Sequence, residues 1–399
     1  MIFRCPYKFR IVIINTFQNH NYELRMKNVA IIIPVFNVEE TIEKTLVNLM
    51  DQTYESYRII LSENYSTDRT MQIISSYAEN IKIISPPYHL LAEDHGNFLL
   101  EYIENLENIE YVALYHGDDI YDKTIIDIQV NFLNNNKDVP LVFTDALIVD
   151  ENYNTIGWSI SKPKKDFINK YNLEDVLYGM VSSTVTCLCP TVMIRTDVLK
   201  KNKKYRFDSS LFSKAADYGL WLEIISDYNC VGIIHKPLVK YRKSAKSDSA
   251  QVYYSLDESP GFKVIRKYIG TDGDYRYKGW RWSAHIKRLE VQDYFRRLKN
   301  KNKNGDIHTD LIKPKYSAPY ILISFSSLSG IYNLLNLIAL DCISLLVVFP
   351  KLRINLINII LNTENIIIIT REIRYNLKIR FKDLPVKSCK DYFNKKIIK

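Results

Sequence analysis

VAIIIPVFNVEETIEKTLVNLM, residues 29–50, decides the fold. Its first six residues are apolar throughout, so the strand they form must be covered on both faces, as in a parallel sheet held between helices. A helix follows. Val38, Ile42, Leu46, Leu49 and Met50 fall on one face at helical spacing, and Asn37 with Glu40 three residues later reads as an N-cap with its capping-box partner. The unit then repeats: strand YRIIL (57–61), the polar turn ENYSTD, a helix over 67–77 and strand IKIIS (81–85). Residues 98–106 read as helix, YVALY (111–115) as strand, Ile125, Ile128 and Phe132 as the next helix, and LVFTDALIVD (141–150) as strand. This alternation predicts an α/β fold with a mostly parallel central sheet that binds ligands at the carboxyl ends of its strands.

Residues 151–277 are less regular, with a β-like stretch TVTCLCPTVMI and a helix ADYGLWLEIIS, and read as a second half of the same domain. The chain is 399 residues long and 47% apolar, which excludes disordered and fibrous classes. Up to residue 277 there are 31 basic and 36 acidic side chains, and from 278 to 399 there are 23 and 9, so a slightly acidic body carries a basic tail. The six cysteines form no CxxC pair, and the N-terminal apolar run is only Ile11 to Ile14. Both features suit a cytoplasmic protein rather than a secreted one. Met26, just before the first strand, marks residues 1–27 as an extension.

Three polar clusters close predicted strands: Pro34-Val35-Phe36-Asn37, Glu63-Asn64 and His116-Gly117-Asp118-Asp119. Parallel strands bring these ends to one edge. Adjacent carboxylates repel, and a divalent cation relieves that; Mg²⁺ is typically held by one or two carboxylates plus substrate phosphates. The alternative is that Asp118 and Asp119 open the following helix, where acids favour the N-terminal dipole.

In order along residues 28–243, IIIPVFNVEETIEKTL, ILSENYSTDRT, YVALYHGDDIYD, CPTVMIRTDVL, AADYGLWLEII and PLVKYR make the chain resemble the family 2 glycosyltransferases. These are inverting enzymes of the GT-A fold that use nucleotide-diphosphate sugars. The resemblance implies a nucleotide-sugar half (28–150) and an acceptor half (151–277) of one catalytic domain (28–277). It implies that Pro34, Phe36 and Asn37 flank the base and ribose, that Glu63 and Asn64 lie beside the base, and that Asn97 is near the donor. Asp118 and Asp119 would form the DxD-type element for Mn²⁺ or Mg²⁺, with Asp119 the direct ligand, and family habit favours a UDP donor. The sequence departs from the pattern at Glu63, where an Asp is usual, at His116, where many relatives have an acid, at Ala216, and at Ser244, near the place of a common histidine.

An inverting transfer needs a base for the acceptor hydroxyl. Asp217 lies three and four residues before Leu220 and Trp221 on the apolar face of its helix, and the resemblance puts the family's base there too. Its alternative role is a structural or helix-opening acid. Trp221 reads as core, His89, His95 and His235 as surface or hydrogen-bonding residues, and Cys187 and Cys189 as thiols on one side of a strand.

Residues 278–399 read as a basic, apolar, mainly helical region. The stretch 328–349 is long enough to span a bilayer but carries Asn333, Asn336 and Asp341, while 352–361 places Asn355 and Asn358 on a narrow polar strip. Peripheral membrane contact and a packed helical subdomain are both consistent with this pattern. No nucleic-acid motif accompanies the charge, so nucleic acid is not expected as a partner. The expected function is transfer of a sugar to a glycan or lipid-linked acceptor in bacterial surface polysaccharide or lipopolysaccharide synthesis. The rival is a non-catalytic binding protein with the same fold. A dehydrogenase is disfavoured because no GxGxxG follows the first strand, and a nucleotidyltransferase would release pyrophosphate instead of a nucleoside diphosphate.

Overall fold

The computed structural model describes residues 29–160, 168–244, 259–270, 276–277 and 280–303. The N-terminal extension, both apolar stretches of the C-terminal region and most of the basic tail lie outside the described residues.

The strands are β1 (Val29–Val35), β2 (Tyr57–Glu63), β3 (Ile81–Ile84), β4 (Tyr111–Leu114), β5 (Ile120–Tyr121), β6 (Leu141–Val149), β7 (Thr155–Trp158), β8 (Ile168–Tyr171), β9 (Val192–Arg195) and β10 (Val231–Arg242). They form one mixed sheet in the order β3-β2-β1-β4-β9-β6-β10-β5, with β7 on β6 and β8 on β10. β3, β2, β1 and β4 are mutually parallel. β9 is antiparallel to both β4 and β6, so β6 and its parallel neighbour β10 run with the first four. These six strands deliver their carboxyl ends to a single edge.

The helices are α1 (Ile42–Met50), α2 (Thr70–Ser75), α3 (Ala92–Glu104), α4 (Ile125–Asn135), α5 (Leu173–Ser182), α6 (Thr196–Lys201), α7 (Ser209–Phe212), α8 (Ala216–Tyr228), α9 (Pro260–Ile269) and α10 (Trp280–Lys303). The continuous apolar run of β1 is explained by two cores. Ala30 and Ile32 join Val112, Leu220 and Trp221 on one side of the sheet, while Ile31 and Ile33 join Leu46, Leu49 and Ile125 on the other. Burying each such side chain contributes roughly 1.5–3 kcal/mol.

Three local expectations are corrected. Asn37 does not cap α1, which begins at Ile42 after Thr41; it adopts φ 51° and turns its side-chain carbonyl to the backbone N–H of Thr67 at 2.8 Å. α3 begins at Ala92 rather than at 98, because Gly96 lets the helix lie against Phe207, whose ring a Cβ would meet at 2.8 Å. The TVTCLCPTVMI stretch is not one strand: Pro190, with its fixed φ, sits in a one-turn 3-10 helix over Cys189–Thr191, and only Val192 onward is β9.

Candidate active site

The shared strand edge opens into a cleft of about 1000 Å³. Its lining comes from strand ends: Pro34 to Phe36 at the end of β1, Asn64 after β2, His89 after β3, His116 after β4, Ile148 on β6, Tyr241 on β10 and Lys243 just after it. Leu188 to Pro190 enter ahead of β9, and Asp217 comes from the first turn of α8.

At the β1 end, Phe36 is 42% exposed and its ring lies 4.7 Å from that of His89. The turn beneath is fixed by Glu63, whose carboxylate accepts the backbone N–H groups of Tyr65 (3.0 Å) and Ser66 (2.6 Å). The Asn64 side chain donates to the Leu90 carbonyl and accepts the Leu90 N–H, both at 2.9 Å, and its own carbonyl meets His89 Nδ1 at 2.9 Å. Glu63 and Asn64 thus hold the loops that present Phe36 and His89.

At the β4 end, ligand atoms of His116, Asp118 and Asp119 all lie within 4.8 Å of one another. Asp119 is fully buried. Its Oδ1 accepts the Arg242 N–H at 2.7 Å, and Oδ2 is buried without a hydrogen-bond partner, 3.8 Å from His116 Nδ1. Burial, then the neighbouring charge of Asp118, holds the Asp119 carboxyl well above the usual carboxylate range. An orphaned buried oxygen beside a second carboxylate and an imidazole fits a hard divalent cation. The surrounding main chain is anchored by hydroxyls: Thr41 and Thr45 donate to the Gly117 carbonyl, Thr45 to that of Asp119, and Tyr153 to that of Asp118 at 3.2 Å.

Asp217 lines the same cleft. Burial, partly offset by the backbone N–H groups of Tyr218 and of Asp217 itself, raises its carboxyl to about 6. Beside it the Tyr218 hydroxyl pairs with Thr186 Oγ1 at 3.1 Å, and the Lys214 ammonium lies 3.7 Å from Glu93.

Residues 30–201 match the family model for glycosyl transferase family 2. Over this segment the chain is similar to the family 2 glycosyltransferases. It is 26% identical over 231 residues to UDP-Glc:alpha-D-GlcNAc-diphosphoundecaprenol beta-1,3-glucosyltransferase WfgD of Escherichia coli, covering 57% of this chain and 82% of that one. It is 29% identical over 272 residues to an uncharacterized glycosyltransferase of Rickettsia typhi, covering 66% and 73%. Among solved structures, S. aureus TarS 1-349 in complex with UDP-GlcNAc gives a TM-score of 0.48 at 18% identity, covering 79% of this chain and 80% of that one.

The mixed sheet brings Pro34, Phe36, Asn64, His116 and Asp217 to one cleft, with Asp118 and Asp119 in a cluster with His116. Asn37, Glu63 and Asn97 are not part of the cleft lining. Asn97 spends its amide on Phe207, donating to its carbonyl at 3.1 Å and accepting its N–H at 2.8 Å, which ties α3 to the loop before α7. Trp221 is core, as expected. His95 and His235 are not surface residues but buried on α3 and β10, where they are hydrogen-bonded to Ser62 Oγ (2.7 Å) and between Tyr171 and Asp145 respectively. Cys187 is buried, whereas Cys189 lines the cleft. Sequence reasoning missed the ring contact of His89 and the hydroxyl of Tyr153, whose partners lie 53 and 35 residues away. Among the described residues no helix is long and apolar enough to cross a membrane.

Proposed function

We propose that the protein transfers a sugar, with inversion, from a nucleotide-diphosphate donor, UDP-linked in the first instance, to a hydroxyl of a glycan or lipid-diphosphate-linked acceptor. The observation that carries this reading is Asp217, raised to about 6 and lining the same cleft as Phe36 and His116. A carboxyl with that value is ionised at neutral pH yet basic enough to take a proton from an attacking hydroxyl.

In the proposed reaction the acceptor oxygen loses its proton to Asp217 and bonds to the anomeric carbon from the face opposite the diphosphate. The bond from that carbon to the diphosphate oxygen breaks, and its electron pair leaves with the nucleoside diphosphate. Phe36 and His89 offer ring faces for the base, while Glu63 and Asn64 keep their loops in place. Asp119, Asp118 and His116 would hold a divalent cation, Mn²⁺ or Mg²⁺, which when bound supplies Lewis-acid stabilisation of negative charge on the diphosphate. The E. coli relatives named for GlcNAc-diphosphoundecaprenol acceptors support the lipid-linked class of acceptor and a place in surface polysaccharide synthesis. We assign the reaction to the cytoplasm, at the inner membrane face where such acceptors reside, with the C-terminal region making peripheral contact.

The test is nucleoside-diphosphate release from UDP-, dTDP- and GDP-sugars with Mn²⁺ or Mg²⁺ and a GlcNAc-diphospholipid, beside Asp119→Ala and Asp217→Asn. Release lost in both variants supports the enzyme and identifies the donor class. Thermal stabilisation by a donor with no release overturns it in favour of a binding protein.

A further inference from the structure

Asp217 occupies a place that favours an anion. It is the acid of the first turn of α8, with the N–H groups of Tyr218 and of Asp217 itself directed at it, and a helix N-terminus stabilises negative charge. Its carboxyl is nevertheless raised to about 6, first by burial and further by the neighbouring charge of Glu93. Residue 216 beside it is a buried alanine, so this second carboxylate comes from outside α8.

Glu93 belongs to the first turn of α3, and packing sets it in place. Gly96 lets α3 lie against Phe207, and Asn97 holds the Phe207 backbone with both ends of its amide, at 3.1 Å and 2.8 Å. The start of α3 is thereby pinned to the loop that leads through α7 into α8. The Lys214 ammonium then meets Glu93 Oε1 at 3.7 Å. Lys214 lies in the 3-10 turn Ser213–Ala215, three residues before Asp217, and that spacing puts two side chains on one side of the chain in 3-10 and α turns alike. Glu93, Lys214 and Asp217 all line the cleft. The Glu93 side chain is 15% exposed and that of Lys214 34%, so solvent screens their charges only in part.

The other titratable groups around Asp217 act differently. Burial, then the charge of Asp217, pushes up the Tyr218 hydroxyl and the thiols of Cys187 and Cys189, so these stay neutral where Asp217 titrates. On α3, His95 is pushed down to about 4 by burial and is held by Ser62. Tyr241 and Lys243 at the end of β10 and His116 after β4 complete the set, and a cation among them would favour the Asp217 anion. α9 contributes only Pro260 and Gly261 to the lining, and β6 and β7 contribute Ile148 and Trp158, all uncharged. Among the described residues that line the cleft, the carboxylates are Asp217 and Glu93.

We propose that Glu93 and Lys214 are positioning residues for the base: the Glu93 carboxylate keeps Asp217 basic enough to take the proton of the acceptor hydroxyl, and the Lys214 ammonium anchors Glu93 and limits its effect. This rests on the transferase reading with Asp217 as its base, and neither residue is assigned a contact with substrate.

The test compares Glu93→Gln, Lys214→Met and the double variant, each with and without Asp217→Asn. In the transfer assay, the limb on which kcat climbs with pH should move down by about 0.5 of a pH unit in Glu93→Gln and up by about as much in Lys214→Met, with the double variant between them and both KM values little changed. Deleting opposite charges moves the limb in opposite directions only when the effect is electrostatic; a structural role lowers kcat and leaves the limb in place. Urea midpoints give a second readout that needs no turnover. The gain of Asp217→Asn on its parent between pH 4 and pH 7.5 should shrink in the Glu93→Gln background and grow in the Lys214→Met background, because the first substitution lowers and the second raises the folded-state value from which the gain arises. A limb that stays put in both single variants, movement of both in one direction, or a raised acceptor KM as the main effect of Glu93→Gln overturns the proposal. Opposite shifts in the urea readout with no transfer from any donor would instead count against the transferase reading while leaving the coupling of Glu93 and Lys214 to Asp217 standing.

Discussion

Asp119 and Arg242, 123 positions apart, meet where Asp119 Oδ1 accepts the Arg242 backbone N–H at 2.7 Å, at the carboxyl end of β10. The bond fixes one oxygen of a fully buried carboxylate and leaves Oδ2 with no hydrogen-bond partner. Asp119→Asn keeps the acceptor and removes the charge. In EDTA its thermal midpoint is expected to equal or exceed that of the wild type, because an unpaired buried charge is costly. The rise in midpoint on adding Mn²⁺, expected for the wild type, is lost in the variant; an equal rise in both would show that Asp119 is not a ligand.

Asp217→Asn is expected to lower kcat by about 10²–10⁴ with donor KM little changed. The wild-type rate should climb with pH through about 6, as the carboxyl ionises, and the residual rate of the variant should lack that limb. A pH–rate profile of both proteins checks it.

The same carboxyl links stability to pH. Its folded pKa of about 6 lies above the ordinary 3.8, so its contribution to stability is fully present below about pH 4 and lost as pH rises through about 6. Asp217→Asn does not titrate. Urea midpoints at pH 4 and pH 7.5 should therefore show the variant gaining on the wild type at the higher pH, by on the order of 1–3 kcal/mol.

Tyr153 holds φ 64°, a costly conformation for a bulky residue, with Lys44 Nζ 3.6 Å over its ring and its hydroxyl on the Asp118 carbonyl. Tyr153→Phe keeps the ring and deletes the hydroxyl. Mn²⁺ affinity measured by calorimetry without donor should fall about tenfold, the effect of losing a group that orients a ligand. A fall in melting temperature with unchanged affinity would reduce Tyr153 to a structural role.

Gly219 follows Asp217 by two residues, and a Cβ there would run into the Phe212 ring. Gly219→Ala should destabilise the fold by about 1–3 kcal/mol in denaturant unfolding, despite the better helix propensity of alanine.

β1, β4 and β6 were legible because they are apolar on both faces, a pattern that depends only on each strand's own residues, whereas the exposed β7 and β8 carry no such signal and were not read. The helix of Asp217 was legible for the same reason, since Leu220, Trp221, Ile224 and Ile225 repeat at helical spacing and are all buried. What was hidden depends on distant partners. Asn37 and Glu40 have capping-box spacing, yet the bond that forms is to Thr67, 30 residues on. Asn64 and Asn97 look like exposed ligand amides in one dimension, and both are clamps on remote backbone, at Leu90 and Phe207. His116 stood out as a departure from a family pattern, whereas its distance of 3.8 Å to Asp119 Oδ2 makes it a member of the cluster.

β9 is four residues long and lies antiparallel between β4 and β6, pairing Ala113 with Met193 and Leu141 with Ile194. A short piece from beyond residue 150 is thus the seam that joins two strands from before it. Neither half is an interchangeable cassette: cutting at residue 150 would strip both strands of their common neighbour. Diversification of such a protein is therefore channelled into hairpins that hang from the sheet, such as the one ending in Trp158, where sequence can drift without unpicking the seam.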